Sequence, residues 1–279
     1  MSNQKELSTG DGRVHLNTGL RGESLVRQRL VNSTDTTEEV AMVPYCKVIG
    51  VGGRSIVDRG REAVLPLVDE IVAARKDHDL FVGVSGGARL RHVFHIALDL
   101  GIPTGGLAQL AGACEEQNLA MLQVLMARHG AVHLKRDAFA ELPMYLANGM
   151  IPMTISVPPY HYWEPPARGG RVPENGSDLG LFMTAEALGA AALVFIKDQD
   201  GLYTDDPATN PDAEFIDRIS AKALMERDLP SLIIDRSVLE TLQNARFIKQ
   251  LTIINGLKRG TLARALAGEP VGTTIYQER

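Results

Sequence analysis

Short apolar runs alternate with segments of helical periodicity along most of the chain. Buried strands are predicted for the runs VPYCKVIGV from Val43, LFVGV from Leu80, AVHL from Ala131, MIPMTISV from Met150 and ALVFI from Ala192. Helical spacing follows the first run, where apolar residues recur every three or four positions from Val64 to Val72. Further helices are predicted over residues 89–100, 107–128, 178–189, 221–227, 237–246 and 261–267, another with Asp137 as N-cap, and strands over 251–254 and 273–276. The alternation predicts an α/β fold with a mostly parallel sheet and helices on both faces.

Two segments depart from this alternation. Residues 1–39 are polar and aperiodic, which predicts a flexible N-terminal arm before one domain over residues 40–279. Ordering of the arm within an oligomer stays open. Residues 157–176 form a long loop rich in Pro, Gly and Arg, and loops of this length usually serve binding or interfaces.

The charge and cysteine content narrow the classes of function. Lys and Arg number 29 and Asp and Glu number 34, so the formal net charge of −5 argues against nucleic acid as a partner. Cys46 and Cys114 lack a metal-type spacing, and no apolar run reaches membrane-spanning length. We therefore expect a reduced, cytoplasmic protein without a membrane partner.

Three loops at predicted strand ends carry glycine or acidic residues. They are GVGGRS from Gly50, SGGAR from Ser85 and DQDGLYTDDP from Asp198. Ligands of open parallel sheets bind beyond the carboxyl ends of the strands, where glycine lets backbone N–H groups approach an anion. A single glycine pair is explained by a tight turn, but two such loops followed by an acidic one predict a phosphate site.

The order of these loops resembles the amino-acid kinase family, which includes bacterial uridylate kinase. The most specific segment is DGLYTDDP from Asp200, and the resemblance extends from about Val43 onward. It implies a three-layer αβα sandwich around a mostly parallel sheet.

Within that family the chain is most similar to the molybdenum-storage branch. The segments VGGRSIVDRG, LPLVDEIVAARK, RHVFHIALDLGIP, SVPPYHYW, KDQDGLYT and LARALAGEPVGT carry this resemblance. It implies ATP with Mg²⁺ as cofactors and molybdate or tungstate oxide clusters as cargo. It also implies a closed hexamer, a trimer of dimers, built from this chain alone or with a paralogous partner.

The family resemblance assigns residues to the nucleotide. It implies that Gly52, Gly53, Gly86 and Gly87, with their neighbours Arg54 and Ser85, line the phosphates. Asp178 and Lys197 would face the phosphates or their metal ion, and the nucleoside would be framed by Asp200, Gly201, Tyr203, Asp206 and Pro207. Alternatives are a helix N-cap for Asp178, ordinary packing for Tyr203 and a solvated Lys197.

One position departs from the family pattern. Gly50 stands where the resemblance implies a lysine that stabilises charge during phosphoryl transfer. Lys47 lies three residues earlier on the strand, so we expect its side chain on the other face. Arg54 is a candidate replacement, since a guanidinium suits phosphate oxygens. Phosphoryl transfer is therefore disfavoured, while ATP hydrolysis coupled to oxoanion storage stays open.

The family resemblance implies a contact with the metal cargo at one residue of this chain. His161, in PPYHYWEPP, matches a histidine-bearing loop of the storage branch, whereas Cys114 and Arg136 stand where other cluster-lining residues are implied. His92 and His95 have a spacing that could bind a metal, although such a pair more often lies on a solvated or hydrogen-bonded helix face.

Three hypotheses follow. The chain is a nucleotide-binding subunit of a molybdate or tungstate store, a small-molecule kinase of the uridylate type, or a catalytically inactive structural or regulatory member of the family.

Overall fold

A computed structural model describes residues 7–8, 13–15, 25–27 and 39–278, which fall into two units, Met1–Val40 and Ala41–Arg279. The first unit contains strands β1 (Leu7–Ser8), β2 (Arg13–His15) and β3 (Leu25–Arg27), paired antiparallel in that order. The rest of the predicted flexible arm lies outside the described residues. The arm and its boundary at residue 39 therefore stay predictions.

The second unit alternates strands and helices. Its strands are β4 (Lys47–Val51), β5 (Leu80–Val84), β6 (Ala131–His133), β7 (Ile151–Ile155), β8 (Ala192–Lys197), β9 (Leu202–Tyr203), β10 (Phe215–Ile216), β11 (Arg218–Ser220), β12 (Gln250–Asn255) and β13 (Thr273–Tyr276). Its α-helices are α1 (Arg61–Ala74), α2 (Ala88–Asp99), α3 (Thr104–Met126), α4 (Leu142–Ala147), α5 (Ser177–Leu188), α6 (Ala221–Arg227), α7 (Arg236–Leu242) and α8 (Thr261–Leu266). Short 3₁₀ helices cover Val57–Arg59, Ala127–His129, Arg136–Glu141 and His161–Trp163.

Most predicted helices and strands are confirmed to within a few residues. The predicted helix start at Asp137 is wrong. Asp137 lies inside the 3₁₀ helix Arg136–Glu141, which leads directly into α4. It is therefore not the N-cap that the sequence predicts. Pro143, near the start of α4, suits a first turn because the N–H it lacks would have no partner within the helix.

The central sheet has eight strands in the order β11-β13-β12-β8-β4-β5-β7-β6. The strands from β12 to β6 run parallel, whereas β13 pairs antiparallel with β12 and parallel with β11. Strands β9 and β10 form a separate antiparallel ribbon. The predicted mostly parallel sheet is confirmed.

Apolar side chains cover both faces of the sheet. One core cluster joins Phe81 and Phe195 of the strands to α5, α6 and α7. The other joins Ile49 and Val82 to α1, α3 and α8. These two cores give the three-layer αβα arrangement. None of the helices that the structure describes is long and apolar enough to cross a lipid bilayer.

Because β4, β5, β7 and β8 are parallel neighbours, their carboxyl ends meet at one edge of the sheet. The loops that follow them begin at Gly52, Ser85, Ser156 and Asp198. The fold thus gathers the glycine-bearing and acidic loops in one place.

Candidate functional site

A cleft of about 450 Å³ opens at this edge of the sheet. Nine of the residues assigned to a nucleotide line it, namely Gly52, Gly53, Arg54, Ser85, Gly86, Gly87, Asp178, Lys197 and Asp206. The phosphate cleft, as we call it, also has walls from Ser177, Arg91, Asp198 and Asp235. Three cationic and four carboxylate side chains therefore face one space.

The two glycine loops are in direct contact. A Cβ on Gly53 would lie 2.6 Å from both Gly87 Cα and Ser85 O, closer than side-chain carbons pack. Gly87 has a φ of +78°, a conformation that glycine adopts without steric cost. Helix α2 begins at the next residue, so its N-terminus lies at the cleft, where Asp58 Oδ2 accepts the Ala88 N–H at 2.5 Å. The backbone itself forms this wall.

Lys197 and Asp178 form an ion pair within the phosphate cleft. Lys197 Nζ lies 2.8 Å from Asp178 Oδ1 and 2.9 Å from Oδ2, and the side chains are only 13% and 11% exposed. The interpretation of Asp178 as a helix N-cap is therefore wrong, because its carboxylate faces Lys197 from the first turn of α5. A solvated Lys197 is likewise excluded.

Asp235 caps α5 from a distant part of the sequence. Its Oδ2 accepts the N–H groups of Asp178 and Leu179 at 3.0 and 3.2 Å. Burial, reinforced by the nearby Asp178 carboxylate, raises the pKa of Asp235 to about 6. No local pattern predicts this role, since Asp235 lies 57 and 56 positions after Asp178 and Leu179.

Residues of the acidic turn that begins at Asp198 line two different clefts. Asp198 stays at the phosphate cleft, where Arg59 Nη2 donates to it at 2.6 Å. Asp200 and Tyr203 line a neighbouring cleft of about 400 Å³. Hydrogen bonds from Lys258 and Asn255, at 2.7 and 2.9 Å, hold the pKa of Asp200 below its usual range. Tyr203 packs edge-on against Phe215.

Gly201 and Pro207 do not line either cleft. Gly201 has a φ of +155° and packs against Thr273, whose hydroxyl accepts the Leu202 N–H at 2.7 Å. Pro207 follows Asp206 in the turn between β9 and β10. Gly201 therefore shapes the turn, and a contact of Pro207 with a nucleotide stays a prediction.

The positions of Gly50 and Lys47 bear on the missing lysine. Gly50 faces α5, where a Cβ would lie 2.7 Å from Leu181 Cδ2. Lys47 Nζ donates to Leu266 O at 2.5 Å and lies 3.2 Å from His78 Nδ1, at a groove formed by the opposite ends of the strands. The expectation that Lys47 does not replace the missing lysine is confirmed. Arg54 is the nearer candidate, because it lines the phosphate cleft.

His161 lies away from both clefts. Its Nδ1 accepts from Arg136 Nη1 at 2.5 Å, and its Nε2 edge packs on Gly112 of α3. Burial, reinforced by the Arg136 charge, lowers the pKa of His161. Within the described residues, no three His, Cys, Asp or Glu side chains are grouped as a metal site. A role for His161 at a metal cluster therefore stays a prediction.

Sequence reasoning also missed Glu115. Its side chain is fully buried in α3, and its Oε2 accepts the N–H groups of Ser156 and Val157 at 2.7 and 2.6 Å. The Ser177 hydroxyl bonds to its other oxygen. A charged residue within a helix usually marks a solvated face, so only its long-range partners show the role.

Comparison with known proteins agrees with this architecture. A model of the amino acid kinase family matches residues 46–255. The molybdenum storage protein subunit beta of Azotobacter vinelandii is 43% identical over 256 residues, which cover 92% of this chain and 95% of that protein. The uridylate kinase of Methanothermobacter thermautotrophicus is 27% identical over 239 residues, covering 83% and 99%.

Solved structures show the same fold. The UMP kinase from Bacillus anthracis matches with a TM-score of 0.65 at 18% identity, covering 85% of this chain and 98% of that one. The uridylate kinase from Archaeoglobus fulgidus gives 0.62 at 22% identity, covering 82% and 99%. The family match spans most of the second unit and includes the loops that form the phosphate cleft. On this evidence the chain belongs to the amino acid kinase family.

Proposed function

We propose that this chain is a cytoplasmic, nucleotide-binding subunit of an assembly that stores molybdate or tungstate as polynuclear oxide clusters. The observation that carries the storage role is the 43% identity to a molybdenum storage protein subunit, which extends over 92% of the chain.

The phosphate cleft supports binding of Mg-ATP. Gly52, Gly53 and Gly86 line the cleft without side chains, so phosphate oxygens could approach the backbone closely there, whereas Asp58 already accepts the Ala88 N–H at the start of α2. Lys197 supplies a positive charge, and the Asp178 and Asp206 carboxylates are the hard oxygen donors that Mg²⁺ prefers. The adjoining cleft with Asp200 and Tyr203 would hold the nucleoside.

The relative's name, a subunit beta, supports an assembly with a paralogous chain. We propose a hexamer, a trimer of dimers, in which cargo is enclosed between subunits. His161 is the proposed contact to the cargo in this chain.

The test measures metal and nucleotide in one sample. Purified chain is incubated with molybdate or tungstate and Mg-ATP and passed through gel filtration, and both contents are then measured in the protein fraction. Many metal atoms per chain would support storage, and nucleotide without metal would indicate a need for the partner chain. A protein fraction that contains neither metal nor nucleotide would contradict the proposal. Lys197→Met should lose nucleotide, whereas Lys76→Met, at an exposed helix end, is the matched control.

A uridylate-type kinase is the second candidate, favoured by the similarity to uridylate kinase over 83% of the chain. Gly50 and the leucine packed on it weigh against phosphoryl transfer. Uridylate-dependent ADP release in a coupled assay would favour the kinase over the store. ADP release without an acceptor would instead indicate ATP hydrolysis.

A further inference from the structure

Glu115 connects three parts of the molecule that meet at the phosphate cleft. Its Oε2 accepts the N–H groups of Ser156 and Val157 at 2.7 and 2.6 Å, and its Oε1 bonds to the Ser177 hydroxyl. Its Cγ would lie 3.5 Å from a Cβ on Gly86. One turn later, Asn118 Nδ2 donates to Ser85 O at 2.7 Å. Helix α3 thus packs against the glycine loop that contains Ser85 and Gly86.

These partners belong to two functional segments. Ser177 begins α5 and precedes Asp178, which pairs with Lys197. Ser156 and Val157 form the root of the long loop 157–176, which carries His161 and Trp163. A single buried side chain therefore joins the floor of the phosphate cleft to that loop.

Arg136 binds the carbonyl groups at the same loop root. The Arg136 guanidinium donates to Val157 O and, at 3.0 Å, to Pro158 O. It also contacts His161 Nδ1 at 2.5 Å. The N–H groups of the loop root are thus bound by Glu115 and its carbonyls by Arg136, so the root moves only if buried polar partners separate.

We propose that Glu115 is a positioning residue that couples nucleotide binding in the phosphate cleft to the position of the loop 157–176. This inference rests on the proposed nucleotide site. A nucleotide that shifts the start of α5 displaces Ser177, a hydrogen-bond partner of Glu115, and one that shifts Gly86 displaces backbone that packs near Glu115 Cγ. The buried carboxyl keeps its hydrogen bonds only if Ser156 and Val157 follow.

The chain contains one tryptophan, which makes the proposal measurable. Trp163 is 83% exposed and lies two residues after His161 in the loop. The full-length chain is titrated with a non-hydrolysable ATP analogue and Mg²⁺ while Trp163 emission is recorded, and calorimetry measures the affinity separately. We expect the emission to change and to saturate together with binding.

Variants separate coupling from folding. Glu115→Gln keeps an acceptor for the two N–H groups and a donor for Ser177, so it should retain the emission change. Glu115→Leu should lose it and bind the analogue about 10-fold more weakly. Ser177→Ala removes one bond without disturbing the core, and should reduce the emission change by at least about half. Gln117→Leu replaces a polar side chain by the same leucine at an exposed position of α3 and should behave as wild type.

Each outcome decides the question. Wild-type binding without a change at Trp163 would overturn the coupling and leave the proposed function standing. A full emission change in Ser177→Ala and Glu115→Leu would do the same. If Glu115→Leu does not fold, Ser177→Ala and Glu115→Gln decide alone. Absence of nucleotide binding by the wild type would overturn the coupling and the nucleotide-binding part of the proposed function, and the metal measurement tests the storage part separately.

Discussion

Leu181 of α5 lies directly over Gly50 of β4. A Cβ on Gly50 would stand 2.7 Å from Leu181 Cδ2 and 2.9 Å from Phe195 Cδ1. Gly83, the register partner of Gly50 on β5, faces the same leucine. The two glycines form a groove across neighbouring strands, and the leucine fills the space that a longer side chain at position 50 would need.

Restoring a lysine at position 50 should therefore be costly. We expect Gly50→Lys to lower the free energy of unfolding by about 1–3 kcal/mol through overpacking, without producing phosphoryl transfer. Leu181→Ala alone should cost about 2–5 kcal/mol, because it leaves a cavity. In the double variant the lysine occupies that cavity, so the two losses should not add. Urea unfolding of the four proteins measures this, and strict additivity would contradict the packing argument.

Alanine substitutions in the two glycine loops test the contact between the loops. Gly53→Ala places a methyl group against the backbone of Gly87 and Ser85, so we expect a clear drop in melting temperature and loss of nucleotide binding. Gly86→Ala in the facing loop meets only side-chain carbons at 3.5–3.6 Å and should fold normally. Equal melting temperatures for the two variants would show that the loops are not in contact.

Lys197 should matter for both stability and binding. In Lys197→Met the Asp178 carboxylate loses its partner in a nearly closed site, which should destabilise the protein by about 3 kcal/mol. Nucleotide affinity should fall at least about tenfold, since the cleft keeps its carboxylates and loses a cation. Thermal unfolding and calorimetry test both effects, with Lys76→Met as control. A normal affinity would remove Lys197 from the site.

The buried Glu115 predicts a pH dependence. Burial raises its pKa from 4.5 to about 8, because the ionised form is desolvated. The unfolded chain ionises at the lower pH, so this group's contribution to stability is complete below about pH 4.5 and is lost as the pH rises through about 8.

Glu115→Gln does not ionise and should escape that loss. The melting temperature of the variant minus that of the wild type should therefore increase from pH 5 to pH 9, a range that contains most of the interval between the pKa of 4.5 and the raised pKa of about 8. Asp235, whose pKa is also raised, contributes equally to both proteins and cancels. Glu226→Gln, on an exposed face of α6, controls for the loss of a charge. A constant difference would mean that Glu115 does not titrate within this range.

Much of the fold and part of the site follow from local patterns. Strand β5 was predicted at its observed bounds because a fully buried parallel strand is a continuous apolar run. The direction of Lys47 followed from the two-residue period of a strand. The gathering of Gly53, Gly87 and Lys197 followed from the parallel order of the strands, which places their carboxyl ends together.

The remaining site residues depend on contacts between distant segments. Asp235 precedes α7 and would be expected to cap that helix, yet its carboxylate binds the start of α5. Glu115 has no neighbour in sequence that explains its burial. Asp178 had two equally good local interpretations, and only the position of Lys197 on β8 distinguishes them. Sequence periodicity carries no information on such pairings.

One edge of the sheet is formed by β13 and β11, which run opposite to the other strands. This arrangement has a consequence for synthesis on the ribosome. Strand β4 occupies the middle of the sheet, and β5, the next strand of the sheet to be made, pairs with it directly. In the part of the chain that the structure describes, β11 pairs only with β13, which is made more than fifty residues later. During that interval a nascent chain exposes an unpaired edge at β11, so stalling before Thr273 should leave the growing polypeptide prone to aggregation or dependent on chaperones.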